Sequence, residues 1–269
     1  MLSVNDITIT SLDIITAYSL TGEPQFILDE LSEVQISNTQ EKEDIVGRGG
    51  RKLNSLKKEK AVTISGTNGL LSAGLLEAQT GSDFETGNTY VDWSETLVIA
   101  SDGATTTYKA VGTVGAEITA LYIKDATGAA STKLTQASTA AAGKFAYAPG
   151  TKSLTFYTNA YQDGTEIIVF YTRKISATRL SNNSANYSDK LRLVVDATAE
   201  DKCSNVYHLQ IEIPKADFNG NFDIQMGDSQ AVHSFEAESL VSTARCGSTN
   251  GAENLWTWTI FAADTADVN

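Results

Sequence analysis

Two histidines, two cysteines and a few glycine-bearing turns are the residues whose types can do chemistry. His208 and His233 each sit singly in segments that alternate like strands, and a lone histidine in a strand is more often structural than catalytic. Neither an HExxH helix nor a GxSxG elbow occurs. A paired zinc site and an exposed serine nucleophile therefore both lack their frames. Gly227-Asp228-Ser229 has the opening of a hydrolase block, but Gln230 follows and the stretch reads as a turn. Gly66-Thr67-Asn68-Gly69 precedes a helical pattern, where free backbone N–H groups can cradle phosphate. It lacks the lysine of a P-loop. Cys203 and Cys246 form no CxxC pair. Two free thiols fit a reducing cytoplasm, and a single bridge stays open as the alternative. The expectation is a protein that is not an enzyme, with no cofactor and no metal.

One stretch carries a different kind of chemistry. Gly47-Arg48-Gly49-Gly50-Arg51 is a basic, glycine-bearing segment, followed by Lys52. It sits between blocks of opposite charge. Glu23–Asp44 holds seven acids and one lysine, Arg48–Lys60 six bases and one glutamate, and after Lys215 come eight acids and one arginine. Such blocks are ordinarily solvated faces. They also suit docking of one copy against the next. The net charge of −13 argues against wrapping nucleic acid through phosphate contacts.

The elements that position these residues are mostly strands. Three prolines, 20 glycines and many Thr, Ser and Val residues in 269 favour strands joined by turns. Residues 1–20 alternate as a strand or extended arm, and Phe26–Ile36 reads as a further strand. Asn38–Ser55 shows no convincing period and reads as a long loop, a length that is often functional. Lys57–Ile64 alternates again. A helix then follows, with Leu70, Leu71, Gly74, Leu75 and Ala78 in one apolar stripe. Thr67 or Asn68 is the expected N-cap and Gly81 the expected left-handed stop. Gly74 costs about 1 kcal/mol in mid-helix, tolerable where the helix lies close against a sheet. So short a helix must dock on a β-surface.

From Gly87 to about Ala177 short strands recur: Thr96–Ala100, Tyr108–Val111, Ile118–Lys124, Lys144–Tyr147, Ser153–Tyr157 and Glu166–Thr172. Turn residues separate them, and the segment reads as an inserted all-β, Ig-like domain at 88–177 within a domain of 1–87 and 178–269. After Leu180 the strands lengthen: Lys190–Thr198, Tyr207–Ile213, Phe218–Met226, Val232–Leu240 and a last one bearing Trp256, Trp258 and Ile260. Each alternates with one wet face. Glu212, Asp223, Glu236 and Glu238 fall on those wet faces. No apolar run approaches the roughly 18 residues of a membrane helix, and the N-terminus lacks the pattern of a signal peptide.

The run from Gly47 to Gly81, GRGGRKLNSLKKEKAVTISGTNGLLSAGLLEAQTG, resembles the loop, strand and helix of phage major tail proteins. FNGNFDIQMGDSQAVHSFEAESLVST and the closing LWTWTIF resemble that family's last strands. The likeness covers roughly residues 1–85 and 180–269. It implies a mainly β fold, a tail-tube-like β-sandwich or half-barrel with one flanking α-helix. It also implies a structural subunit of a siphovirus-like virion tail, in hexameric rings stacked around a channel for DNA, with assembly in the cytoplasm of a bacterial host. Implied partners are further copies of the chain, a tape measure protein, and tail terminator or baseplate proteins, with no membrane. Gly47, Arg48, Gly49, Gly50, Arg51 and Lys52 would then form the inter-subunit or inter-ring loop. Glu212, Asp223, Glu236 and Glu238 would face the lumen, where acids let DNA slide without specific binding. The alternative is a secreted or surface binding module, an adhesin or carbohydrate-binding β-protein, with Tyr157, Tyr161 and Tyr171 stacking on sugars.

Overall fold

The computed structural model describes residues 7–125, 127–224, 232–243 and 253–262. The chain runs β1 (Thr8–Tyr18), β2 (Pro24–Leu28), β3 (Leu31–Val46), β4 (Lys52–Asn68), α1 (Ala73–Thr80) and β5 (Phe84–Val98). It continues with β6 (Gly103–Thr105), β7 (Ile118–Lys124), β8 (Ala130–Gln136), β9 (Lys144–Ala148), β10 (Ser153–Phe156) and β11 (Glu166–Leu180). The closing strands are β12 (Lys190–Glu200), β13 (Val206–Phe218), β14 (His233–Ser239), β15 (Ser242–Thr243), β16 (Glu253–Asn254) and β17 (Thr257–Ala262). The fold is mainly β with one helix. Two compact units separate: Glu85–Arg179, and the residues on either side of it.

The discontinuous unit is built on a curled half-barrel sheet in the order β2-β1-β12-β13-β14-β4-β3, with β17 also paired to β13. Directly opposed residues share a face, so register decides what is buried. Val195 opposes Ile211, Leu193 opposes Ile213 and Ala237 opposes Ile64. These residues form one cluster with Ile15, Leu28, Leu75, Leu191, Phe218 and Phe235. Burying each large apolar side chain contributes about 1.5–3 kcal/mol. Leu191 opposes Ala216 while Leu193 opposes Ile213, so β13 carries one extra residue between them. Pro214 lies in that bulge, where its missing N–H disturbs the ladder least. The bulge lets Ile213 and Ala216 both face the core.

Helix α1 closes this core. Eight residues are too few for a stable isolated helix, so docking holds it. Leu75 and Ala78 join the core cluster. Ser72, rather than Thr67 or Asn68, caps the helix by accepting from the Leu75 N–H at 3.3 Å. Asn68 instead ends β4, buried and donating to the Leu70 carbonyl. Leu70 and Leu71 precede the helix and stay exposed, so the buried face starts at Leu75. Gly81 is left-handed at φ 62° and its N–H donates to the Glu77 carbonyl. Gly74 lies so close to β2 that an added Cβ would sit 2.5 Å from that of Phe26.

Two expectations in this unit need correction. Phe218 ends β13, and Asn219–Ile224 has only an isolated bridge from Ile224 to His233. Gln225 and Met226, the far end of the expected strand, lie outside the described residues, as do Gly227-Asp228-Ser229 and Cys246. Cys203 is exposed and free in the turn between β12 and β13. Asn38–Ser55, read as a loop, is instead strand on both sides of a short turn.

The second unit is a seven-stranded sheet in the order β5-β11-β7-β8-β9-β10-β6. β11 with β7, β7 with β8, β9 with β10 and β10 with β6 are antiparallel, and β8 with β9 is parallel. Ile167, Val169 and Tyr171 of β11 meet Leu121, Leu134, Phe145, Leu154 and Phe156 in its own core. β5 and β11 run 15 residues each, longer than their alternation suggested, and Tyr108–Val111 is not a strand. Tyr171 is buried and Tyr161 packs edge to face on Phe156, so neither offers a ring face for stacking.

Candidate assembly arm and acidic face

β4 pairs with β14 only from Thr63 to Asn68. From there to its start β4 pairs, among the described residues, with β3 alone. Asn38–Val46 and Lys52–Val62 thus form a two-stranded arm projecting past β14. At about 3.4 Å per residue it is on the order of 30 Å long. The sequence allows this because the two strands are mostly polar between Asn38 and Lys60, so they need no continuous core behind them, while Val62 at the base of the arm is buried. That same polarity hides the arm from a search for alternation.

Gly47–Arg51 is the turn of the arm. The Gly47 N–H donates to the Arg51 carbonyl at 2.8 Å and the Gly50 N–H to the Gly47 carbonyl at 3.1 Å. Gly49 and Gly50 take φ of 79° and 75°, where a side chain would be strained. Arg48 and Arg51 are exposed and make no ion pair among the described residues. Lys52 differs, because its ammonium meets Asp44 across the arm at 2.6 Å. Lys58 and Glu43 pair in the same way. The arm therefore neutralises part of its own charge and leaves the two arginines at the tip.

The tip is also apolar. Ile45, Val46, Leu53 and Leu56 are exposed, Leu53 most of all at 68%. Leu53 lies over the turn, where a Cβ on Gly47 would meet its side chain at 2.6 Å. Two-stranded ribbons are marginal in water, and exposed apolar side chains grouped on one mark a surface meant to be covered. These four residues carry a signal that charge and glycine pattern alone do not give.

The sheet face opposite the core is polar. Glu236 opposes Ser65, and Glu238 opposes both Thr63 and Asp217. Asp223 follows the end of β13, its N–H donating to Ser234 Oγ at 3.3 Å. Asp223, Glu236 and Glu33 share a cleft of about 760 Å³ with Ser65 and Thr67. Glu236, Glu238 and Asp217 line a second of about 350 Å³. Glu212 lies on the same face farther along β13 and is partly neutralised by Arg192 at 3.0 Å. Arg192 is itself stacked over Tyr18 at 4.3 Å. Three of the four carboxylates thus gather around β14, and the fourth is held in an ion pair.

The remaining sequence candidates do not assemble into chemistry. The Gly66–Gly69 segment is the end of β4 and a bend, separated from the helix, so no phosphate cradle forms. His233 is buried, its Nε2–H donating to Gln79 Oε1 at 2.7 Å. Gln79 in turn donates to the Ser234 carbonyl at 3.0 Å. Burial holds the His233 pKa below its ordinary value. His208 is exposed and stacks on Phe261. Among the described residues no group of three or more His, Cys, Asp or Glu can hold a metal ion. No helix among them is long and apolar enough to cross a membrane.

A curled antiparallel sheet with one capping helix, a projecting hairpin and a wet acidic face is the layout of a structural, assembling subunit. The signature of the YomU/Tube protein family matches residues 8–253. The chain belongs to that family, whose members are structural proteins of phage tail tubes. No curated protein matches the sequence.

Proposed function

We propose that this chain forms the tube of a siphovirus-like phage tail. Six copies close into a ring, rings stack, and DNA passes through the channel during ejection. The arm of β3 and β4 is the observation that carries this reading. It extends past β14, exposes Ile45, Val46, Leu53 and Leu56, and ends in two arginines without an ion pair among the described residues. Another copy supplies both missing partners, apolar cover and carboxylates. The unit that bears the arm holds 25 acids against 12 bases, while Glu85–Arg179 holds eight of each. The arm's arginines therefore meet an acidic surface on any neighbouring copy of that unit.

The lumen face is the polar face of β13 and β14, with Asp223, Glu236 and Glu238 as its charge and Glu212 contributing less because of Arg192. A negative wall repels phosphate at short range and is screened beyond about 10 Å at 0.1 M salt. It hinders sticking without blocking passage. Tape measure protein would fill the channel before DNA does. Tail terminator and baseplate proteins would meet the tube ends, and assembly would take place in the host bacterial cytoplasm. Negative-stain electron microscopy of the purified protein across a concentration series tests this reading. Rings or tubes with a central channel are expected, and a strictly monomeric protein at every concentration refutes it.

A further inference from the structure

The unit Glu85–Arg179 holds a guanidinium without an anion. Arg173 follows Ile167, Val169 and Tyr171 on the core-facing side of β11, one step beyond the packed cluster. Its guanidinium carbon lies 3.6 Å from the Tyr108 ring centroid and 4.7 Å from that of Trp93. The two rings meet edge to face at 5.3 Å. Nε and Nη1 are buried with no hydrogen-bond partner. The aromatic faces offer them only the weaker attraction of a π-cloud. Nearby carboxylates are engaged elsewhere. Glu95 accepts from the Thr107 N–H and hydroxyl and from the Tyr171 hydroxyl. Glu117 accepts from Gln136 and the Gly115 N–H.

Arg173 opens onto a cleft of about 650 Å³ that Tyr90, Tyr108, Lys109, Lys174 and Glu117 also line. Ligand pockets span roughly 300–1,000 Å³. Neither Lys109 nor Lys174 makes an ion pair among the described residues. Three cations and one carboxylate that is already engaged line this cleft, in a unit that holds eight acids and eight bases in all. The guanidinium is held by its rings before any ligand arrives, so ordering it costs little on binding. Tyr90 is 60% exposed at the rim and offers an apolar ring face beside the cations.

We propose that this cleft binds an anionic saccharide. The remaining nitrogen of the Arg173 guanidinium, Nη2, and the Lys109 and Lys174 ammonium groups meet a carboxylate or phosphate on the sugar. Tyr90 covers the sugar's C–H face. An acidic segment of a second copy would satisfy the cations but leave the aromatic rim unused, which favours the saccharide.

Isothermal titration calorimetry of the full chain tests this with four probes: trigalacturonic acid, glucose 6-phosphate, neutral maltotriose and inorganic phosphate. Heat is expected from one or both acidic sugars, and which one responds distinguishes carboxylate from phosphate. Maltotriose and inorganic phosphate are expected to bind at least tenfold more weakly. The Lys109→Ala/Lys174→Ala double variant is expected to lose at least tenfold in affinity while its melting temperature stays unchanged. Arg173→Lys, which keeps the charge but not the planar fork, is expected to weaken binding as well. Four results would overturn the proposal. They are no heat from either acidic sugar, equal affinity for inorganic phosphate, unchanged affinity in the double variant, and heat that comes only from self-association lost on dilution.

Discussion

Replacing Leu53 by serine probes the arm without touching a core. In the free subunit Leu53 is 68% exposed and lies over the turn of its own hairpin at Gly47. Surface changes of this kind alter stability by less than about 0.5 kcal/mol. If a neighbouring copy covers the tip, the exposed two-thirds of the side chain becomes buried. Full burial of a leucine is worth about 1.5–3 kcal/mol, so the part gained on docking is roughly 1–2 kcal/mol by the same measure. At 1.4 kcal/mol per factor of ten, each arm contact weakens by about 5- to 30-fold. Every subunit in a tube makes the same contact, so the critical concentration for assembly rises by that factor. Pelleting of assembled protein against total concentration, with electron micrographs of each fraction, reads the shift. Differential scanning fluorimetry reads stability in parallel. An unchanged critical concentration refutes the docking role of the tip. A melting temperature lowered by several degrees would place Leu53 in the subunit's own packing and refute it equally.

Three further outcomes follow from other parts of the molecule. Gly81→Val is expected to lower the melting temperature by several degrees, because a Cβ there would meet the Tyr187 carbonyl at 2.0 Å at a left-handed φ. Thermal unfolding of variant and parent checks it. Reversing Glu236 and Glu238 to lysine is expected to leave the monomer folded but make assembled tubes retain DNA in a co-sedimentation assay, more so at low salt than at high. His233 has a folded pKa below its unfolded value of about 6.5, so the folded state binds fewer protons. Stability is then flat above pH 6.5 and falls as pH drops toward the folded pKa, by at most about 1.4 kcal/mol per unit. His233→Gln keeps a donor for Gln79 and is expected to abolish that slope in urea titrations between pH 7 and 5.

The core was legible in the sequence where one face is wet and the other dry. Leu191, Leu193 and Val195 alternate cleanly, as do Phe235 and Ala237 against Glu236 and Glu238, and all lie as their period requires. Legibility failed in three physical situations. The arm is mostly polar on both faces, so Asn38–Ser55 carries no alternation although it is strand on both sides of the Gly47–Arg51 turn. Leu70 and Leu71 fit a helical stripe by spacing, but Asn68 holds the chain in a bend there by donating to the Leu70 carbonyl, and the helix starts at Ala73. Tyr171 and Tyr161 look like a sugar platform by type. Period-two burial puts the first beneath β11, and an edge-to-face contact with Phe156 engages the second. The charge of Glu212 was legible, but its neutralisation was not. Arg192 is 20 residues away in sequence, and only the β12–β13 register sets it beside that carboxylate.

The division of charge between the two units bears on how such a chain can polymerise. The whole excess of −13 sits on the discontinuous unit, and Glu85–Arg179 is balanced. Copies of a strongly acidic unit repel one another, so their association needs a cationic element that each copy can extend to the next. Arg48 and Arg51 sit at the end of the arm, while Lys52 and Lys58 are paired with Asp44 and Glu43 of the same arm. Those two pairs tie the strands of the stem together and leave Arg48 and Arg51 without an ion pair among the described residues at the tip, in addition to Lys42, Lys57 and Lys60 along the stem. Removing Asp44 and Glu43 would free two more cations, yet it would also loosen the two-stranded stem that aims them. The acidic body and the basic tip are therefore complementary. On the proposed reading, repulsion between bodies keeps free subunits apart, and docking of the tip offsets it where a neighbouring copy also covers Leu53, Leu56, Ile45 and Val46.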